Sequence, residues 1–164
     1  MVKKKINPLT SIIKKHFSDL EKNQTEFIPG KSSIPLAIPP YGWEEVSDAI
    51  DSLLEMKTTM SKKVQKFEKL FAKYLGVKYA IMVNSGSSAN LLAMELLDCP
   101  KNSEVITPIL TFATTLSPIL KKELTPVFVD VEPETYIVNI DQVEQAITSK
   151  TKALMIPSLL GNVP

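Results

Sequence analysis

The sequence is short of the residues that usually announce a metal, a disulfide or a membrane. Of its 164 residues one is cysteine, Cys99, and one is histidine, His16. A lone cysteine excludes an internal disulfide, and with a single histidine beside it there is no zinc-ligand set. A buried or half-exposed, inert thiol is expected at 99. No apolar run reaches the roughly 18 residues of a membrane span, and the N-terminus lacks the apolar core of a signal peptide. A cytoplasmic address with no membrane partner is therefore expected. Charge of one sign is missing as well: 19 lysines plus arginines face 18 acids, a net charge of +1. That balance gives no electrostatic case for nucleic acid or an anionic surface, and Lys3 to Lys5 read as a solvated terminus. Glycine is scarce, at five residues. Neither G-x-x-x-x-G-K-[ST] nor G-x-G-x-x-G occurs, which sets aside the nucleotide P-loop and the dinucleotide fold.

What is present is ordinary for a globular chain, with 44% hydrophobic and 23% charged residues, enough for one sizeable core. A polar, lysine-rich arm runs to about residue 35, and Ile13, Phe17 and Leu20 suggest one short amphipathic helix in it. "FIPGKSSIPLAIPPYG", from Phe27 to Gly42, carries four prolines and two glycines and should be extended linker. Val46, Ala49, Ile50, Leu53 and Leu54 follow helical spacing, as do Val64, Phe67, Leu70, Phe71, Tyr74 and Leu75, with Gly76 placed to end the second helix. From Lys78 the rhythm changes. "YAIMV" (79–83), "EVIT" (104–107), "PVFVDV" (126–131) and "KALMIP" (152–157) read as buried strands. Between them come a helix with Ala89, Leu92, Ala93, Leu96 and Leu97 inward, then helices near 113–122 and 140–147. The last should be capped by Asn139 and bury Ile140, Val143 and Ile147. Strand and helix alternate, so an α/β architecture with a mostly parallel sheet is expected.

In such a sheet the loops after the strands' carboxyl ends line the ligand crevice, and "NSGSSANLL", residues 84 to 92, is one of them. The first turn of the helix it opens offers unpaired N–H groups and the positive end of a dipole, which suit a phosphate. Gly86 permits close approach, and the Ser87 and Ser88 hydroxyls add donors. The same residues also permit a plainer reading, in which Ser85 caps the helix and the rest is a polar turn.

The blocks "FEKLFAKYLGVKYAIMVNSGSSANLLAMELL", "EVITPILTFATTLSPIL", "TPVFVDVEPETYIVNI" and "TKALMIPSLLGN" resemble, in order, the DegT/DnrJ/StrS family of pyridoxal-phosphate enzymes acting on nucleotide sugars. The likeness runs from about Pro39 to the end. It implies residues 1–38 as a helical arm and linker, and 39–164 as the N-terminal part of a three-layer αβα type I aminotransferase large domain. It implies pyridoxal or pyridoxamine 5′-phosphate as cofactor, a nucleotide-sugar substrate, a homodimer when full length, and no nucleic-acid partner. Gly86 and Ser87 match the pair that receives the cofactor phosphate, and Phe112, in "TFATT", the aromatic residue that stacks on the pyridine ring. Without the resemblance, Phe112 reads as a core phenylalanine at a helix start. Asp130 matches the family's "FVDV" turn and is expected to be structural, with Glu132 and Glu134 on the solvated side.

Pyridoxal chemistry also needs a carboxylate at the ring nitrogen and a lysine or another base beside the reacting carbon. In the family both lie beyond the point matching Pro164. Lys121, Lys122, Lys150 and Lys152 sit in surface contexts unlike the family's lysine. The chain is therefore expected to be an N-terminal fragment or a prematurely ended reading frame, inactive by itself. "SLLGN" and the arm ending "FIPG" lean towards the branch of 3-dehydratases, which carry histidine at the base position and remove the C3 hydroxyl of a 4-keto-6-deoxy sugar. A sugar aminotransferase of the same family is the alternative. From other classes, an inactive truncated chain or a stand-alone phosphate-binding module stays open.

Overall fold

A computed structural model describes residues 7–23, 25–35, 37, 38 and 40–164, so Lys3 to Lys5 lie outside the described residues. Two compact units divide at Ala80/Ile81.

The first unit is helical. Helix α1 (Leu9–Lys22) half-buries Ile13 and Phe17, as their spacing predicts, and leaves Leu20 exposed. It meets α2 (Trp43–Leu54) through polar groups: Asn7 Nδ2 donates to Asp51 Oδ1 at 3.1 Å, and the hydroxyls of Thr10 and Ser47 lie 3.0 Å apart. The Lys14 ammonium sits 4.9 Å from the Trp43 ring centroid. The described residues between Phe27 and Gly42 form neither helix nor strand, in keeping with their prolines. Helix α3 (Lys62–Leu75) is capped by Ser61 and closed by Gly76 at φ 69°, the left-handed turn that glycine adopts without strain. Only Ala72 of α3 is buried, and Phe67, Leu70, Phe71, Tyr74 and Leu75 are exposed. The apolar stripe is real, but the burial expected for it is not found: only Val64 of the stripe is half-buried.

The second unit is α/β. Helices α4 (Gly86–Leu96), α5 (Ala113–Lys121) and α6 (Ile140–Ala146) alternate with strands β1 (Glu104–Pro108), β2 (Thr125–Val129) and β3 (Thr151–Leu154), and a short 3₁₀ turn spans Leu159–Gly161. The strands are parallel in the order β2-β1-β3. Side chains alternate across β1, so the sheet has two cores. Val105 packs with Met94 of α4, Ile119 of α5 and Leu124. Ile106 packs on the other face with Val129, Val138 and Val143 of α6. The result is three layers, helices α4 and α5 on one side and α6 on the other. Cys99 is half-buried beside the first core and unbridged, as expected.

Three expectations are corrected. No strand forms over 79–83: the sheet has three strands, and none pairs with that run, so Ile81 is left 78% exposed. A strand exists only through its ladder, whatever its composition. Helix α4 is turned from its expected orientation. Met94 is buried and Asn90 and Leu91 are half-buried, whereas Ala89, Leu92, Ala93, Leu96 and Leu97 point outward. The helix is apolar nearly all round, so periodicity did not distinguish its faces. In α6 only Val143 is buried, while Ile140 and Ile147 flank it in the open, although Asn139 does cap the helix, accepting from the Gln142 N–H at 2.8 Å.

Candidate functional site

The loops that follow the strands open at one end of the parallel sheet, and α5 begins there, directly after β1. Asn90 Nδ2 of α4 donates to the Thr114 carbonyl in the first turn of α5 at 3.3 Å. Asn90 lies one turn from Gly86, and Thr114 two residues from Phe112. The starts of α4 and α5, with the expected phosphate pair and the expected stacking ring, therefore lie at the same end of the sheet.

Each polar group of the "NSGSS" turn can be followed. The Ser85 side chain is the N-cap, accepting from the Ser88 N–H at 3.2 Å. Ser88 Oγ donates to Asn84 Oδ1 at 2.7 Å. These contacts close the turn on itself, so Ser85 does cap the helix. They leave out the residues between. The Gly86 and Ser87 N–H groups, in the first turn where no intrahelical acceptor exists, have no partner among the described residues, and the Ser87 hydroxyl has none either. Both residues are exposed.

Gly86 is informative for what does not require it. Its φ is outside the left-handed region, and a Cβ added there would meet nothing within 4 Å. The fold of the chain has no steric need of glycine at 86, so the open space is available to something from outside. A phosphate suits the free amides, the hydroxyl and the dipole of an 11-residue helix.

Phe112 is the N-cap residue of α5 in extended conformation, and its carbonyl accepts from the Thr115 N–H at 2.9 Å. The ring is 73% exposed. A core phenylalanine would be buried, so that reading of the sequence is set aside; the ring is held out at the carboxyl end of β1. Thr115, three residues on, is buried, and its hydroxyl accepts from that of Thr111 at 2.9 Å.

The lysines stand elsewhere. Lys121 and Lys122 end α5, about 13 Å along the helix from Phe112. Lys150 and Lys152 flank the start of β3, where Thr151 is in register with Glu104, the first residue of β1. All four are at the amino-terminal edge of the sheet, away from the turn at 84–88. Lys122 is moreover paired with Glu95 at 2.7 Å, and that hydrogen bond raises its pKa above the usual lysine value. Asp130 is spent on its own turn: its carboxylate accepts from the Val131 N–H at 2.8 Å and its carbonyl from the Asn139 N–H at 2.9 Å. Glu132 and Glu134 are solvated, with Glu132 accepting from Asn139 Nδ2 at 2.6 Å. Among the described residues no group of His, Cys, Asp and Glu is placed to hold a metal, and no helix is long and apolar enough to cross a membrane.

Asn90 was not singled out from sequence. The available signal was Pro118, an interior helix proline that deprives the Thr114 carbonyl of its ordinary donor.

A sequence profile of the DegT/DnrJ/EryC1/StrS aminotransferase family matches residues 41–164. The chain is 35% identical over 150 residues to a dTDP-4-dehydro-2,6-dideoxy-D-glucose 3-dehydratase of Saccharopolyspora spinosa, covering 87% of this chain and 32% of that protein. It is 38% identical over 122 residues to an Escherichia coli GDP-perosamine synthase, covering 73% of this chain and 32% of the relative. Among solved structures, the E. coli GDP-4-keto-6-deoxy-D-mannose-3-dehydratase with bound hydrated PLP superimposes with a TM-score of 0.68 at 37% identity, covering 74% of this chain and 33% of that one. The chain thus spans about a third of the length of these relatives.

Proposed function

The chain belongs to the DegT/DnrJ/EryC1/StrS aminotransferase family and has the corresponding part of the type I aminotransferase fold; from that premise we propose that the whole protein is a pyridoxal-phosphate-dependent enzyme of nucleotide-sugar metabolism. Its substrate is a nucleotide-linked 4-keto-6-deoxy sugar destined for surface polysaccharide, and its reaction is removal of the C3 hydroxyl. The family profile begins at residue 41, which supports 1–38 as an arm and 39–164 as the first part of the large domain. As in the family at large, the functional unit is a homodimer.

The observation that carries the cofactor assignment is the pair of unpartnered amides at Gly86 and Ser87, with the free Ser87 hydroxyl, at the start of α4. They receive the phosphate by charge-assisted hydrogen bonds, and the exposed Phe112 ring offers a face for the pyridine. The cofactor, when bound, supplies an electron sink for breaking bonds at the sugar carbons. What these residues do is bind and orient: the amides fix the phosphate end and the aromatic face fixes the plane of the ring. Neither moves a proton. The four lysines at the other edge of the sheet are not placed to serve as the base.

The dehydratase assignment is supported by the 3-dehydratases among both the sequence relatives and the structural neighbours. The aminotransferase reading is kept by the aminotransferases found beside them. The binding test is titration with pyridoxal and pyridoxamine 5′-phosphate, followed by competition with inorganic phosphate. Saturable binding that phosphate displaces is expected, and absence of binding contradicts the assignment. The 164-residue chain alone should turn over no 4-keto-6-deoxy nucleotide sugar. Release of a 3-deoxy product by it would contradict that expectation.

A further inference from the structure

Proline at position 118 is buried in the interior of α5 and has no N–H to offer the carbonyl four residues earlier, that of Thr114. A half-buried carbonyl left without a donor is destabilising, and one would expect the helix to bend or the group to find water. It finds the Asn90 side chain of α4 instead, at 3.3 Å. A second side-chain bond, from Lys122 Nζ to Glu95 Oε2 at 2.7 Å, ties the far ends of the two helices; among the described residues the Asn90 contact is the one near their starts. It falls within about one turn of Gly86 on one side and two residues from Phe112 on the other. A bond that merely filled a vacancy anywhere along α5 would not join these two ends.

We infer that Asn90 is a positioning residue: it supplies the hydrogen bond that Pro118 withholds from Thr114, and so fixes the Phe112 face relative to the Gly86–Ser87 amides. The cofactor's ring and phosphate are held at a fixed separation by covalent bonds, so a site with two separate contact points gains only if those points are fixed too. Proline creates the demand and asparagine meets it across the helix pair. This inference rests on the reading of Gly86, Ser87 and Phe112 as cofactor contacts.

The test is a cycle of variants in the purified protein: Asn90→Leu, which keeps volume and removes the donor, Pro118→Ala, which restores an N–H to Thr114, and the double variant. Asn90→Ala replaces the leucine variant should the latter not fold, as judged by circular dichroism. Two ligands are titrated, pyridoxamine 5′-phosphate, which needs both contact points, and inorganic phosphate, which needs only the amides. Asn90→Leu should weaken pyridoxamine 5′-phosphate by about three- to tenfold, the range of one neutral hydrogen bond, and leave phosphate unchanged. The double variant should recover most of the loss. Equal weakening of both ligands, or no recovery on adding Pro118→Ala, would overturn the inference, because either marks Asn90 as a general support of α4. Ser87→Ala run alongside separates the layers of the argument. If it weakens both ligands while Asn90→Leu weakens neither, only the positioning role falls. If Ser87→Ala has no effect on either ligand, the phosphate reading falls and takes this inference with it.

Discussion

The two units of the chain are built from similarly apolar sequence and treat it in opposite ways. In residues 81–164 the central strand is covered on both faces, and Val105, Ile106, Thr107 and Ile119 are fully buried. In residues 7–80 three well-formed amphipathic helices bury only Ser47 and Ala72, and the aromatic stripe of α3 is left open. Local signals are equally good in both. Ser61 caps α3 as Asn139 caps α6, and Gly76 closes α3 in the left-handed conformation. The difference is tertiary: a parallel sheet carries its covering helices in its own crossovers, whereas a helical arm depends on surfaces supplied from further away.

The largest expected effect tests that contrast directly. Ile106→Ala deletes a fully buried side chain from the centre of the sheet and should cost about 2–5 kcal/mol of unfolding free energy, read by denaturant titration. Tyr74→Ala, at a residue 84% exposed on the open stripe of α3, should stay within about 0.5 kcal/mol. Comparable losses from the two would erase the distinction between the units. A step smaller, Asn139→Ala should cost about 1 kcal/mol through loss of the cap on α6. Hydrogen exchange extends the comparison: amides of β1 should be the slowest in the chain and those of α3 markedly faster. Smallest is an effect of acid on α2. The Gly42 N–H donates to the Glu45 carboxylate at 2.7 Å, and that bond holds the Glu45 pKa below its ordinary value of 4.5. A lowered folded pKa means that the contribution is present above pH 4.5 and disappears as pH falls through the folded value. Helicity of α2 should therefore decline slightly in that acid window, and Glu45→Gln should flatten the decline.

The same contrast explains which features were legible in the sequence. Caps, the Gly76 stop and the alternation of β1, α5, β2 and α6 depend on residues close in the chain, and these were found within a residue or two. The face of α4 and the state of residues 79–83 depend on what lies alongside, and no periodicity in a chain rich in Ala, Leu and Met encodes that. At the candidate site, Gly86, Ser87 and Phe112 were picked out by the order of family blocks. The structure adds a physical reason for each: two amides without acceptors, a glycine that the fold does not require, and a ring that is not in the core. For Asn90 the sequence offers only an indirect sign: Pro118 shows that the Thr114 carbonyl lacks its helical donor, but not which side chain replaces it.

The central claim is that Ser85, Ser88 and Asn84 serve the fold of the turn at 84–88, whereas Gly86 and Ser87 serve a phosphate. It is tested most directly by measuring pyridoxamine 5′-phosphate affinity and melting temperature on the same preparations of Gly86→Val and Ser87→Ala. Beyond its own helix and chain neighbours a Cβ at 86 would meet nothing within 4 Å, and the Ser87 side chain makes no hydrogen bond to other described residues, so both variants should melt close to the parent protein. Ser87→Ala removes one charge-assisted hydrogen bond and should weaken binding by roughly one to two powers of ten. Gly86→Val should weaken it further by closing the approach to the amides. Unchanged affinity with a lowered melting temperature would contradict the account and return these two residues to a structural role.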